Sequence, residues 1–230
     1  MPADGVAGEN PVREETDLLV EQRLRARYPD AAEALGRYAE LLVTDGVVRG
    51  LIGPREVARL WSRHLANCAV LEELVPEGAL VADVGSGAGL PGLPLAIVRP
   101  DLRVVLVEPL LRRATFLGEA VAALGLADRV EVLRGRAEDQ KLAVDVVTAR
   151  AVAPLDRLAG WTLPLARVGG TLLALKGEGA ADEVAASHAA LERLGGGQAE
   201  VLTCGAGVVD PPTTVVRVVR LTAGRRKGSR

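Results

Sequence analysis

Residues 80–94 read LVADVGSGAGLPGLP and constrain the fold more than any other stretch. A short apolar run, Leu80-Val81-Ala82, leads into Asp83-Val84. Gly85, Gly87 and Gly89 follow at alternate positions, then Leu90-Pro91-Gly92 and a second apolar run. A β-run, a glycine turn and a helix start make the βα corner of a nucleotide-binding α/β sheet. Glycines let the backbone turn tightly and lie close to a ligand, where a Cβ would collide. The helix that follows aims its first N–H groups at the same spot.

The spacing narrows the ligand. A dinucleotide fingerprint is G-x-G-x-x-G, whereas this corner is G-x-G-x-G with Asp83 two positions before it. That form suits a ligand offering a cation and an amino-acid moiety instead of a pyrophosphate, such as S-adenosylmethionine.

The rest of the chain supplies the sheet. Strand-like runs fall at Leu80–Val84, Arg103–Glu108, Val130–Arg134, 143–149 and 170–175, with helical stretches at Gly92–Val98, 110–124, 154–165 and 180–194. Such alternation predicts a parallel, doubly wound sheet. Two last strands, 199–203 and 213–221, are joined by a Gly/Pro loop too short for a helical crossover, so they pair antiparallel. The expected fold is thus α/β, a Rossmann-like class I methyltransferase sheet ending in a reversed hairpin. The expected organisation is a disordered extension at 1–15, a helical unit at 16–75, the cofactor-binding domain at 76–222 and a basic flexible tail at 223–230. Within the helical unit, Asp30 is the expected N-cap of a second helix, 46–53 a loop, and Pro54 the first residue of a third helix.

Composition excludes some functions. Aromatic residues are 2% of the chain, which argues against base recognition on a stacking platform. The net charge of −2 means that any nucleic-acid surface is local. Two cysteines far apart in sequence and two histidines offer no metal-ligand spacing and point to a reduced, cytoplasmic protein. No apolar run reaches the ~18 residues of a membrane span.

Site candidates are the residues at the C-terminal strand ends, where a doubly wound sheet binds its ligand. Strand one brings Asp83, Gly85, Gly87 and Gly89. Strand two brings Glu108, placed to accept both ribose hydroxyls. Strand three is followed by Arg136-Ala137-Glu138, where an adenine is bounded by backbone and an acid. Strand four ends in Arg150 and strand five in Lys176, two cations at the mouth of the site. The strand-four end carries neither the Pro-Pro-aromatic turn of amino-group methyltransferases nor a nucleophilic cysteine.

As a series, these pieces resemble the RsmG (GidB) family of 16S rRNA guanine-N7 methyltransferases. The matching residues are Arg63-His64, Asp83 to Gly92, Ile97-Val98-Arg99-Pro100, Arg112-Arg113, Arg136-Ala137-Glu138, Arg150-Ala151 and Leu175-Lys176-Gly177. Members usually carry an Asn-Leu-Thr stretch where this chain has Arg49-Gly50-Leu51-Ile52. The resemblance implies methyl transfer from S-adenosyl-L-methionine to N7 of guanine 527 of 16S rRNA in the 30S ribosomal subunit; a monomer without metal is expected. It implies cofactor contacts at Gly85, Leu90, Ala137, Glu138 and Arg150. It makes Arg63, Arg112, Arg113, Arg136 and Lys176 candidates for RNA contact, and His64, Arg136, Arg150 and Lys176 candidates for the reaction site. A small-molecule methyltransferase and a non-catalytic nucleotide-binding regulator on the same fold are the alternatives.

Overall fold

The computed structural model describes residues 14–224. The expected extension and tail lie outside the described residues but for two residues each.

The described chain begins with α1, Glu15–Arg27, which has acids in its first turn and arginines in its last, as the helix dipole favours. Its Asp17 is buried and accepts from both the backbone N–H and the hydroxyl of Ser62, at 2.7 and 2.9 Å. Helix α2 is Ala32–Leu41. Asp30 is not its cap. It sits inside the 3-10 turn Pro29–Ala31, and Ala31 precedes the helix without a side-chain hydrogen bond. The expected loop from residue 46 starts later, because a π turn, Leu42–Gly46, carries the helix on and keeps Leu42 fully buried. A second helical run winds through four forms: a 3-10 turn Pro54–Arg59 with Pro54 at its start, a π turn Trp61–Leu65, α3 (Ala66–Ala69) and a 3-10 turn Val70–Leu74.

The sheet follows: β1 Leu80–Val84, α4 Gly92–Val98, β2 Arg103–Glu108, α5 Leu111–Ala123, β3 Val130–Arg134, β4 Val144–Arg150, α6 Leu155–Thr162, β5 Ala166–Lys176, α7 Ala180–Arg193, β6 Glu200–Cys204 and β7 Thr213–Val219. The strand order is β3-β2-β1-β4-β5-β7-β6. Strands β1 to β5 are parallel, and β7 runs antiparallel between β5 and β6, as the short last connection requires. Strand β5 starts earlier than its apolar run suggests, because Ala166 pairs with Val144 across a register shift.

Each face of the sheet has its own core. On one side Leu24, Leu35, Tyr38 and Leu65 of the N-terminal helices pack in a single cluster with Leu93, Leu106 and Phe116. On the other, Leu155, Leu158 and Leu191 cover Val147, Leu172 and Val216. The N-terminal helices therefore roof the sheet and reach the glycine corner. Among the described residues no helix is long and apolar enough to cross a membrane.

Candidate functional site

The strand order reverses between β1 and β4, and a doubly wound sheet opens its ligand crevice at that point. Gly85, Gly87 and Gly89 all have positive φ there. A Cβ on Gly89 would stand 2.4 Å from Leu93 Cδ1, so only glycine fits. The loop is tied to the next strand: the Gly85 N–H donates to the Val107 carbonyl at 2.9 Å and the Gly87 N–H to Glu108 Oε2 at 3.0 Å. The other oxygen of Glu108 accepts from the Leu110 N–H at 3.0 Å. Glu108 is buried, with its carboxylate fixed in the crevice wall.

Asp83 serves the corner from below. It is fully buried, and its Oδ2 accepts from the Gly92 N–H at 3.0 Å. A Cβ on Gly92 would lie 2.8 Å from that oxygen and 2.4 Å from Leu106 Cδ2, so the helix start can approach only as glycine. Asp83 Oδ1 is buried without a hydrogen-bond partner, as is the hydroxyl of Thr148, its register neighbour on β4. Burial pushes the Asp83 carboxyl up to about 7, against the Gly92 hydrogen bond that lowers it.

Two cavities meet at this corner. The smaller, of about 540 Å³, is lined by Gly85 to Ala88, Leu90, Glu108 to Leu110, Arg113, His64, Leu51 and Ile52. The larger, of about 870 Å³, opens between α1, the ends of β4 and β5 and the loop before β7, with Arg23, Arg63, Lys176, Glu178 and Asp210 on its walls. Arg150, Ala151 and Val152 line both and form the partition. Ala151 has φ +54, an uncommon conformation for a residue with a side chain, and it turns the chain sharply at the partition.

The Arg150 guanidinium is anchored from the N-terminal side. It donates to Nδ1 of His64, to Cys68 Sγ at 3.2 Å and to the His64 carbonyl at 3.5 Å. On its far side, His64 Nε2 stands 2.8 Å from Glu56 Oε2, which also meets Arg63 Nε at 3.0 Å. Burial, and then the Arg150 charge, lower His64 to about 4, so the imidazole is neutral near pH 7. Burial raises Glu56, but the His64 hydrogen bond and the Arg63 charge outweigh it and leave the carboxyl below its ordinary value.

The structure thus brings Gly85, Gly87, Leu90, Glu108, Arg113, His64 and Arg150 around the smaller cavity. Arg113 is half-buried there, with its Nε unpartnered. Arg63, Arg150 and Lys176 border the larger cavity. Lys176 is held: its ammonium lies 2.6 Å from Glu183 Oε2 and 2.9 Å from the Ala153 carbonyl. Gly89 and Asp83 build the corner without lining either cavity. Arg112, Arg136 and Glu138 are exposed and Ala137 is buried; none of the four lines either of these two cavities. Sequence reasoning missed Glu56, Tyr38, Leu51 and Ile52. The last two end the stretch that departs from the family pattern, and both lie on the wall of the smaller cavity.

Residues 31–210 match the profile of the family described as rRNA small subunit methyltransferase G. The chain is 61% identical over 204 residues to the ribosomal RNA small subunit methyltransferase G of Salinispora tropica, covering 85% of this chain and 84% of that one. It is 60% identical over 215 residues to the protein of the same name from Streptomyces coelicolor, covering 89% of this chain and 88% of that one. Among solved structures, mitomycin 7-O-methyltransferase MmcR superposes with a TM-score of 0.56 at 21% identity, over 90% of this chain and 73% of that one. M. jannaschii TYW2, solved in complex with AdoMet, gives 0.53 at 18% identity over 69% and 76% of the two chains. These likenesses show the fold: the class I methyltransferase sheet with its last strand reversed.

Proposed function

Because the chain belongs to the rRNA small subunit methyltransferase G family, we propose that it transfers a methyl group from S-adenosylmethionine to N7 of guanine 527 of 16S rRNA in the small ribosomal subunit. One observation carries this reading beyond the family: two cavities share a single wall, Arg150 to Val152. The smaller has the backbone and carboxylate character of a nucleoside site. The larger is open to solvent and bears several cations, as a site for a base on a polyanion must be.

The smaller cavity fits the cofactor. Glu108 uses one lone pair of each oxygen on backbone N–H groups, which leaves a second on each for the ribose hydroxyls. Gly85, Gly87 and Leu90 would lie against the amino-acid end. The turn carrying Ala137 and Glu138 starts beside Glu108, since the Gly135 N–H donates to the Glu108 carbonyl at 3.2 Å, and it would border the adenine. When bound, S-adenosylmethionine supplies an electrophilic methyl carbon on a sulfonium.

The chain's residues then have a limited task. Guanine N7 has an in-plane lone pair and carries no proton, so no general base is required. The partition and the N-terminal roof exclude water and hold the base in line for transfer. Positive charge develops on the base, so a cation at N7 would oppose the reaction. Arg150 and Lys176 are therefore assigned to O6 or to phosphates, and Arg63, Arg112, Arg113 and Arg136 to phosphates. The enzyme would act as a monomer in the cytoplasm, without metal.

The test is to incubate the protein with methyl-labelled S-adenosylmethionine and 30S subunits from cells lacking this methylation, then to map the label. Label at N7 of a single 16S guanine is the expected result. No label on 30S particles or on free 16S rRNA, with cofactor bound, would overturn the substrate.

A further inference from the structure

We infer that Glu56 is a positioning residue: it holds His64 in the Nε2–H tautomer and so keeps the Nδ1 lone pair free to fix the Arg150 guanidinium between the two cavities. The inference rests on the reading that methyl transfer takes place across the Arg150 partition.

Donor and acceptor rules carry it. A carboxylate only accepts, so the imidazole nitrogen 2.8 Å from Glu56 Oε2 must carry the hydrogen. A guanidinium only donates, so the nitrogen that faces Arg150 Nη2 must be bare. Of the three forms of an imidazole, only the neutral Nε2–H tautomer satisfies both neighbours. The Nδ1–H tautomer would set a lone pair against the carboxylate and a hydrogen against the guanidinium. The imidazolium would set its Nδ1–H against the same guanidinium. This is the logic by which the partner on one ring nitrogen decides what the other can do.

The arrangement is built for that purpose. His64 is buried on the π turn Trp61–Leu65, a winding that re-aims side chains within a helix. Glu56 reaches it from the preceding 3-10 turn and is itself flanked by Arg63 and, at 3.8 Å, Arg59. The other contacts of the Arg150 side chain are a weak sulfur acceptor and a carbonyl at 3.5 Å, so the imidazole is its principal anchor. Arg150 ends β4 and is followed at once by the sharp turn at Ala151. An Arg150 side chain without that anchor can swing into either cavity.

The chain has two histidines, and His188 is exposed on α7, so His188→Gln leaves one imidazole to observe. Long-range ¹⁵N NMR on the full chain in this background should report His64 as neutral with hydrogen on Nε2 at pH 7. Glu56→Gln keeps an oxygen that accepts the same hydrogen, so the tautomer persists and kcat stays within about twofold. Glu56→Ala should give a mixture of tautomers and a kcat lower by about tenfold, with KM for 30S subunits little changed. A pure Nε2–H signal in Glu56→Ala, loss of that tautomer in Glu56→Gln, or a changed tautomer with unchanged kcat would each overturn the inference. An Nδ1–H signal in the parent background would do so even if Glu56→Ala failed to fold. The NMR readout needs no substrate, so it stands if labelled methyl never reaches 16S rRNA, an outcome that removes the functional reading alone.

Discussion

The hydroxyl of Tyr38 donates to the carbonyl of Ala88 at 2.7 Å, across fifty residues of sequence and entirely out of solvent. Helix α2 is thereby bolted to the glycine loop, and the roof over the sheet becomes part of the site. The same hydroxyl is 3.0 Å from where a Cβ on Gly89 would lie. Removing it strands a buried carbonyl, at a cost of about 1–3 kcal/mol. Tyr38→Phe is therefore expected to lower stability by about that amount in urea unfolding and to weaken S-adenosylmethionine binding in calorimetry. Unchanged cofactor affinity would mean that the loop holds its shape without the helix.

The three loop glycines should not respond alike. All have positive φ, but a Cβ on Gly87 meets nothing nearer than a carbonyl oxygen at 3.8 Å, whereas one on Gly89 meets Leu93 at 2.4 Å. Gly87→Ala carries only the backbone penalty of about 1–2 kcal/mol. Gly89→Ala adds overpacking of about 1–3 kcal/mol. Thermal unfolding of the two variants should rank them in that order, and equal midpoints would place Leu93 in a site that relaxes freely.

Much of this was legible in the sequence. Helix α4 and strands β1, β2 and β3 fall where apolar runs and turn residues put them, and the reversed hairpin follows from one short connection. Local signals sufficed because each of these elements is bounded by its own chemistry: glycines after Val84, a proline-containing corner before Leu93, an acid at the end of β2. The partners of the site residues were not legible. A 3-10 turn followed by a π turn sets Glu56 beside His64, the end of β4 brings Arg150 to its other side, and no local pattern encodes a π turn. Lys176 reads as a free cation at a strand end, and only the register of α7 against β5 shows the carboxylate that holds it.

That carboxylate, Glu183, carries two loads. Its Oε2 accepts from the Lys176 ammonium at 2.6 Å and from the Leu155 N–H, at the start of α6, at 2.9 Å. Glu183→Ala leaves a nearly buried ammonium with one acceptor and a helix N-terminus with none. Glu183 is itself partly exposed, so water softens the loss, and a destabilisation of about 1–2 kcal/mol is expected. Lys176→Met keeps the apolar stem and the Leu155 hydrogen bond and should cost less. It should instead raise KM for 30S subunits, if the ammonium also reaches a phosphate. Urea unfolding of both, with KM measured alongside, separates the structural load from the substrate load.

Two buried groups oppose each other in the pH dependence of stability. Asp83 is raised from 3.8 to about 7 in the fold. Below 3.8 it is protonated in both states; as pH rises toward 7 only the unfolded chain ionises, so stability is lost across that window and is constant above it. His64 is lowered from 6.5 to about 4. Above 6.5 it is neutral in both states; as pH falls toward 4 only the unfolded chain takes the proton, so stability is lost in the other direction. Between about 4 and 6.5 the two slopes partly cancel in the wild-type protein. Asp83→Asn removes the falling slope, so its stability should climb with pH more steeply than wild type over that interval. His64→Gln removes the rising slope, and its stability should decline with pH relative to wild type. Denaturant unfolding at half-unit steps from pH 4 to pH 7.5 measures both differences. Parallel curves for wild type and Asp83→Asn would show that Asp83 ionises in the fold as readily as in the unfolded chain. The unpartnered Oδ1 would then have a proton donor near it.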